Sequence, residues 1–233
     1  MPLKAILFDK DGTLLDFDLT WGAAGYHVMK TIARGDEAGF ERLVDVTHYD
    51  IENRRYRPTS EMVAGSLDEI GPLWAKALRR DDHHAVGLEI NTLFMEAAPD
   101  YIAPLGDPAG ILSTLAQQGY QLGIATNDSE AAALQQAEIL GLMPHLDFIV
   151  GHDSGHGRKP DPGMVDAFVR HTGLPSHEVA LVGDSTHDLH AARAAGAIAI
   201  AVLSGPATRD DLEPHADYVI DSIADLPALV TSL

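Results

Sequence analysis

The sequence predicts an α/β fold, a parallel sheet covered by helices on both faces, with a helical domain inserted after the first strand. Three observations lead there. A short apolar run near the N-terminus reads as a buried strand, a long helix-like stretch follows it, and strands and helices then alternate to the end of the chain. The first strand is Ala5-Ile6-Leu7-Phe8. Residues 17 to about 98 are helix-like with no convincing strand, and Gly35, Pro58 and Gly71-Pro72 cut them into several helices. Pro99 to Pro104 reads as a return linker.

Beyond it, Gln121–Ala125, Phe148–Val150, Val179–Val182 and Ala197–Val202 are strand candidates. Asp107-Pro108 and Asp161-Pro162 look like N-caps followed by proline at the first helical position. Gly119, Gly141, Gly173 and Gly196 sit where the helices should stop. Such alternation implies right-handed crossovers and a parallel sheet. The first strand belongs to that sheet, so residues 1–15 and 101–233 form a core domain and 16–100 an insertion.

Composition narrows the function. At 233 residues the chain can bury a substantial core, and with no cysteine it has neither disulfides nor thiolate metal sites. No apolar run approaches the length of a membrane span, and a soluble cytoplasmic protein is the expectation. Acidic residues outnumber basic ones by 35 to 16, a formal charge of −19 that repels nucleic acid and anionic membranes. Any phosphate site must therefore be made locally, from a metal ion, a lysine and backbone amides.

Asp9-Lys10-Asp11-Gly12-Thr13 follows directly on the first strand. Side chains alternate along an extended chain, which puts Asp9 and Asp11 on one side and Lys10 on the other, and Gly12 allows a sharp turn. Two carboxylates so close repel each other unless a cation or a proton is shared, so the pair suggests a hard metal ion, a general acid, or both. An acidic turn closing a strand would use the same residues.

Ligands of open parallel sheets bind outside the carboxyl ends of the strands, where the strand order reverses. Polar residues collect at those ends: Asp9 and Asp11, then Thr126-Asn127-Asp128, then the loop 151–160 containing Lys159, then Gly183-Asp184-Ser185-Thr186-His187-Asp188. Each has a plain alternative, since Thr126, Asn127 and Asp184 can cap helices, Asp188 can complement a helix dipole, and Lys159 can be a solvated loop lysine. Four such coincidences in one sheet outweigh those alternatives.

In these residues the sequence resembles the haloacid dehalogenase-like hydrolases, and among them the capped phosphatases similar to phosphoglycolate phosphatase. Asp9 to Thr13 matches the first motif of that family, Thr126 with Asn127 the second, Lys159-Pro160 the third, and Gly183-Asp184 with Asp188 the fourth. The resemblance covers essentially the whole chain. It implies a Rossmann-like core, a small α-helical cap and hydrolysis of a phosphate ester. By resemblance Asp9 is the nucleophile, forming an aspartyl-phosphate, and Asp11 the general acid and base. Mg2+ would be held by Asp9, the backbone carbonyl of Asp11 and Asp184. Thr126 and the amide of Asn127 would grip the phosphoryl oxygens, Lys159 would offset charge, and Asp188 would orient metal-bound water or Lys159. Asp11 separates phosphate-ester hydrolysis from relatives that release halide or preserve the aspartyl-phosphate. Lys10 should face away from the ligand.

In the insertion, Asn53-Arg54-Arg55-Tyr56-Arg57 concentrates three cations. Arg54, Arg55 and Arg57 either meet a second anionic group on the substrate or form a solvated helix end. Arg79-Arg80 carries less promise, and Trp21 and Trp74 read as packing residues. His187 with His190, and His152 with His156, have spacings that zinc can use, or are solvent-facing; His83-His84 reads as a loop pair. The core motifs also fit a phosphosugar mutase, and a non-catalytic phospho-switch module shares the residue types but not the insertion. The partner expected is a small phosphorylated metabolite, with phosphoglycolate the best single guess.

Overall fold

The structure is a computed structural model that describes residues 3–57, 59–63 and 67–233. Strand β1 (Ala5–Phe8) is followed by a π-helical turn at Asp18–Gly22, α1 (Ala23–Ala33), α2 (Glu37–Val46), β2 (Tyr49–Asp50), β3 (Arg55–Tyr56), α3 (Leu67–Leu78) and α4 (His83–Tyr101). Next come α5 (Pro108–Gln117), β4 (Gln121–Ala125), α6 (Glu130–Ile139), β5 (Phe148–Val150), α7 (Gly163–Thr172) and β6 (Val179–Gly183). The chain ends with α8 (Thr186–Ala194), β7 (Ile198–Val202), α9 (Arg209–Leu212), β8 (Tyr218–Ile220) and α10 (Leu226–Thr231). Two compact units result, Met1–Asp16 with Pro104–Leu233, and Phe17–Ala103.

The first unit is built on a six-stranded sheet in the order β5-β4-β1-β6-β7-β8, parallel throughout. Strand order reverses beside β1: after it the chain goes to β4 and outward, then crosses back to β6 on the other flank. That junction is the crevice where such sheets bind ligands. Register places Phe8 opposite both Ile124 and Val182, so the next residues of three strands emerge level with one another.

Period-two alternation divides the core. Ile6 and Phe8 pack on one face with Leu112, Leu115 and Leu226, while Ala5 and Leu7 pack on the other with Met164, Phe168 and Leu189. Asp107 caps α5 as expected, accepting from the Gly110 amide at 2.9 Å. Asp161 does not cap α7. That helix starts at Gly163 after Pro162, and the Asp161 amide is spent on a turn to the Arg158 carbonyl. The edge strand β8 was not anticipated.

Within the first unit, Leu14 and Leu15 run alongside the start of the return segment. Leu15 bridges to Pro104, and the Leu105 amide donates to the Leu14 carbonyl at 3.0 Å.

The second unit has its own core, in which Phe17, Val28, Met29, Phe40, Leu43 and Trp74 are buried together. It departs from the sequence reading in four places. Residues 49–56 form a two-stranded antiparallel hairpin, pairing Tyr49 with Tyr56 and Asp50 with Arg55, where only helix was expected. Gly71-Pro72 does not break α3; Pro72 lies inside it and forgoes a single backbone hydrogen bond. Helix α4 continues through Pro99 to Tyr101, so the return connection is shorter than the linker expected, and His83 and His84 open that helix rather than lie in a loop. The expected break at Pro58 lies outside the described residues. Among the described residues no helix is long and apolar enough to cross a membrane.

Candidate active site

After Phe8 the backbone leaves the strand while remaining anchored to the sheet, the Asp9 amide donating to the Val182 carbonyl at 2.8 Å. The Lys10 carbonyl then accepts from the amides of Leu14 at 2.8 Å and Leu15 at 3.1 Å, and the Gly12 amide donates to the Leu15 carbonyl at 2.8 Å. Residues 10–15 are thereby wound into a tight loop. Gly12 is required twice over: its φ is +74°, and a Cβ there would overlap the Asp184 carboxylate. Gly205 presses on Asp184 in the same way, and the Ser204 hydroxyl donates to the Gly12 carbonyl at 2.7 Å. The segment after β7 therefore forms a wall of the site. Nothing in its sequence pattern announced this, apart from a Ser-Gly-Pro turn following a strand.

Asp9, Lys159, Asp184 and Asp188 are buried together at the strand ends. Lys159 Nζ donates to Asp9 Oδ1 at 2.5 Å and to Asp188 Oδ1 at 2.6 Å. Asp188 Oδ2 accepts from the amide and the hydroxyl of Ser185, at 3.1 and 2.6 Å, closing a capping box at the start of α8. Among the described residues no hydrogen bond reaches the Asp184 carboxylate. Asp9, Asp184 and Asp188 each offer an oxygen within 4.8 Å of the others. Three carboxylates against one ammonium leave a buried excess of negative charge, and the oxygen donor set suits a hard divalent cation. The residues present therefore fit a metal, with Asp188 close enough to take part although both its oxygens are already engaged.

Electrostatics follow from that excess. Burial pushes the Asp9 carboxyl up to about 7, with Asp188 and Asp11 adding to the rise and Lys159 opposing it. Asp184 is raised as well, by burial first and then by Asp9 and Asp188. Burial disfavours the charge on Lys159, but Asp188 and Asp9 outweigh it and hold the ammonium above its ordinary range.

The Thr126-Asn127 segment follows β4, the Thr126 amide donating to the Val150 carbonyl at 3.1 Å. Thr126 Oγ1 accepts from the Asp128 amide at 3.1 Å, and Ser129, not Thr126, caps α6. Asn127 has an unforeseen task. Its Nδ2 donates to the Lys159 carbonyl and its Oδ1 accepts from the Lys159 amide, both at 2.9 Å, so one side-chain amide clips both backbone groups of the lysine. The Lys159-Pro160 peptide bond is cis.

Lys10 overturns an expectation. It does not turn away from Asp11: its side chain is 1% exposed, and Nζ donates to Asp11 Oδ2 at 2.7 Å and to Asp128 Oδ2 at 3.3 Å. Strict alternation ends with the strand at Phe8, and the loop winding beyond it brings Lys10 and Asp11 together. Burial opposes the charge on Lys10, but Asp11 and Asp128 outweigh it and raise the ammonium above its ordinary range.

The remaining candidates make none of the hydrogen bonds of this cluster. Arg54, Arg55 and Arg57 belong to the second unit and lie on a hairpin rather than a helix end. All three are exposed, and the Arg54 guanidinium stacks 3.6 Å from the centre of the Tyr26 ring. Trp74 is fully buried and Trp21 packs edge-on against Phe94, as packing residues do. His190 faces His215 across 3.2 Å.

A family model for haloacid dehalogenase-like hydrolases matches residues 3–196. The chain belongs to the haloacid dehalogenase-like hydrolase family. A phosphoglycolate phosphatase of Chromobacterium violaceum is 32% identical, over 96% of this chain and 95% of its own length. Pyrophosphatase PpaX of Bacillus velezensis is 28% identical, over 96% and 94%. Among solved structures, CbbY from Rhodobacter sphaeroides in complex with phosphate has the same fold, with a TM-score of 0.72 at 22% identity, covering 99% of this chain and all of its own.

Two outcomes follow for cation binding. With the Asp9 carboxyl pushed up to about 7, a divalent cation bound there will release protons and bind more tightly as pH rises through about 7, read with Mg2+ as the probe by calorimetry in buffers of different ionisation enthalpy. A pH-independent affinity would contradict the buried carboxylate cluster. Gly205→Ala will displace Asp184 and weaken divalent-cation binding by about tenfold or more while the far-ultraviolet circular dichroism stays unchanged.

Proposed function

We propose that the protein is a metal-dependent phosphatase hydrolysing the phosphate ester of a small metabolite, phosphoglycolate being the first candidate, through an aspartyl-phosphate on Asp9. The observation that carries this reading is the buried Asp9-Lys159-Asp188 bridge beside Asp184 at the switch point of the sheet. Full-length similarity to phosphatases supports it.

In this reading an Asp9 oxygen attacks phosphorus, and the bond from phosphorus to the ester oxygen breaks. The Asp11 carboxyl gives its proton to the departing oxygen. Asp11, now a carboxylate, takes a proton from the water that attacks the aspartyl-phosphate, releasing inorganic phosphate and restoring Asp9. Asp11 is partly exposed, as a group exchanging protons with substrate and water must be. Lys159 draws charge from Asp9 and from the phosphoryl oxygens, and Asn127 keeps it there by clipping its backbone. With its side chain so occupied, Asn127 offers its main-chain N–H to the phosphoryl group beside the Thr126 hydroxyl.

Asp9, Asp184 and the backbone carbonyl of Asp11 would hold Mg2+, with Asp188 orienting Lys159. When bound, the ion supplies positive charge to phosphoryl oxygens that the overall charge of −19 would otherwise repel. The second unit would serve as the cap that selects substrates, Arg55 and Arg57 meeting a carboxylate or second phosphate on the leaving group. Arg54, stacked on Tyr26, would do so less readily.

Purified protein with Mg2+ will release phosphate from p-nitrophenyl phosphate, and Asp9→Asn will reduce kcat/KM by about a thousandfold or more. Inertness of the metal-loaded wild type across a panel of phosphate esters would end the proposal, and conversion of a glucose phosphate to its isomer without free phosphate would make the enzyme a mutase. Across the same panel, Arg55→Ala and Arg57→Ala will lower rates selectively for esters whose leaving group carries a second anion. Unchanged relative rates would leave the hairpin a solvated edge.

A further inference from the structure

Lys10 is a buried charge of the catalytic loop that the proposed chemistry leaves without a task. It is buried to 1%, although an apolar side chain of similar length would fill the same space with no charge to desolvate. Stability alone does not account for an ammonium there. Two carboxylates that it grips lie on different segments: Asp11 Oδ2 at 2.7 Å on the loop after β1, and Asp128 Oδ2 at 3.3 Å after β4. Asp128 is itself fixed. Its Oδ1 accepts from the Ser129 amide at 2.7 Å and its own amide donates to Thr126 Oγ1 at 3.1 Å, locking it into the turn that starts α6. A continuous polar chain therefore runs from the first turn of α6 through Asp128 and Lys10 to the Asp11 carboxyl.

We propose that Lys10 is a positioning residue for the general acid: by gripping Asp11 Oδ2 from a buried anchor on Asp128, it fixes the carboxyl where its proton can be delivered to the departing oxygen. The proposal rests on the hydrolase reading above. Proton transfer to the departing oxygen is demanding only when that oxygen is strongly basic. A loosened Asp11 should therefore slow esters of weakly acidic alcohols and phenols, and spare those whose leaving group departs as a stable anion. Lys10 touches no reacting atom, so a change there should appear in formation of the phosphoenzyme and little in the binding of the phosphoryl group.

The test compares phenyl phosphate with 2,4-dinitrophenyl phosphate, aryl esters on the same ring and of very different leaving-group basicity. The parameter is kcat/KM, which reports the steps through formation of the phosphoenzyme. Lys10→Met should lose about tenfold to a hundredfold on phenyl phosphate and no more than about threefold on 2,4-dinitrophenyl phosphate. Asp11→Asn should give the same pattern more strongly. Asp128→Asn leaves the Lys10–Asp11 contact but loosens its anchor, and should give the pattern more weakly; it carries the same test if Lys10→Met fails to fold. Lys10→Arg, which keeps a cation able to reach both carboxylates, should recover part of the selective loss. Equal losses on the two esters in folded Lys10→Met and Asp128→Asn would make Lys10 a merely structural residue and overturn the assignment, with the hydrolase reading intact. A wild type inert toward both esters would instead overturn the hydrolase reading, and this assignment with it.

Discussion

Everything at the candidate site depends on a charge imbalance held where apolar strands end. Asp9, Asp184 and Asp188 converge with only Lys159 among them, in surroundings dry enough to push the Asp9 carboxyl up to about 7. Such an arrangement is tolerable because the rest of the core is overdetermined: β1 is paired on both sides along its length and packed on both faces, so its last residue has little freedom to retreat from its neighbours. The apolar strands supply the free energy, and the strand ends hold the strained electrostatics. A proton or a divalent cation relieves the imbalance, which is why the carboxylates are chemically poised rather than simply paired.

A second, less anionic arrangement lies beside the first. Lys10 sits between Asp11 and Asp128, so the two carboxylates of the first motif occupy different electrostatic settings although one residue separates them. Asp9 belongs to the anion-rich cluster and Asp11 to the bridged one. That separation accords with the division of labour proposed for them, one attacking phosphorus and the other moving protons.

Much of this was legible in the sequence because it rested on strong local signals. The four later strand candidates are found at or within a residue of the expected bounds, and Asp9, Lys159, Asp184 and Asp188, among the polar residues expected at strand ends, are brought together. What was missed lacked a local signal. Strands β2 and β3 have two residues each, too short for any periodicity, and β8 is a three-residue edge strand. Pro72 and Pro99 were read as breakers, yet packing in the helical unit carries α3 and α4 through them. The direction of Lys10 failed because alternation was extended past the strand that justified it. The Asn127 clip and the pressure of Gly205 on Asp184 join segments far apart in sequence, and no window of residues contains both partners.

The insertion leaves from the end of β1, and within the sheet unit its two attachment points are already stitched together, Leu15 bridging to Pro104 and Leu105 bonding to Leu14. The sheet thus closes on itself without help from the residues between. In design terms the intervening segment would be a cassette, open to lengthening or exchange while the joined sheet unit keeps its own core. Under the proposed function, choice of substrate and chemistry would then be assigned to separate stretches of a single gene.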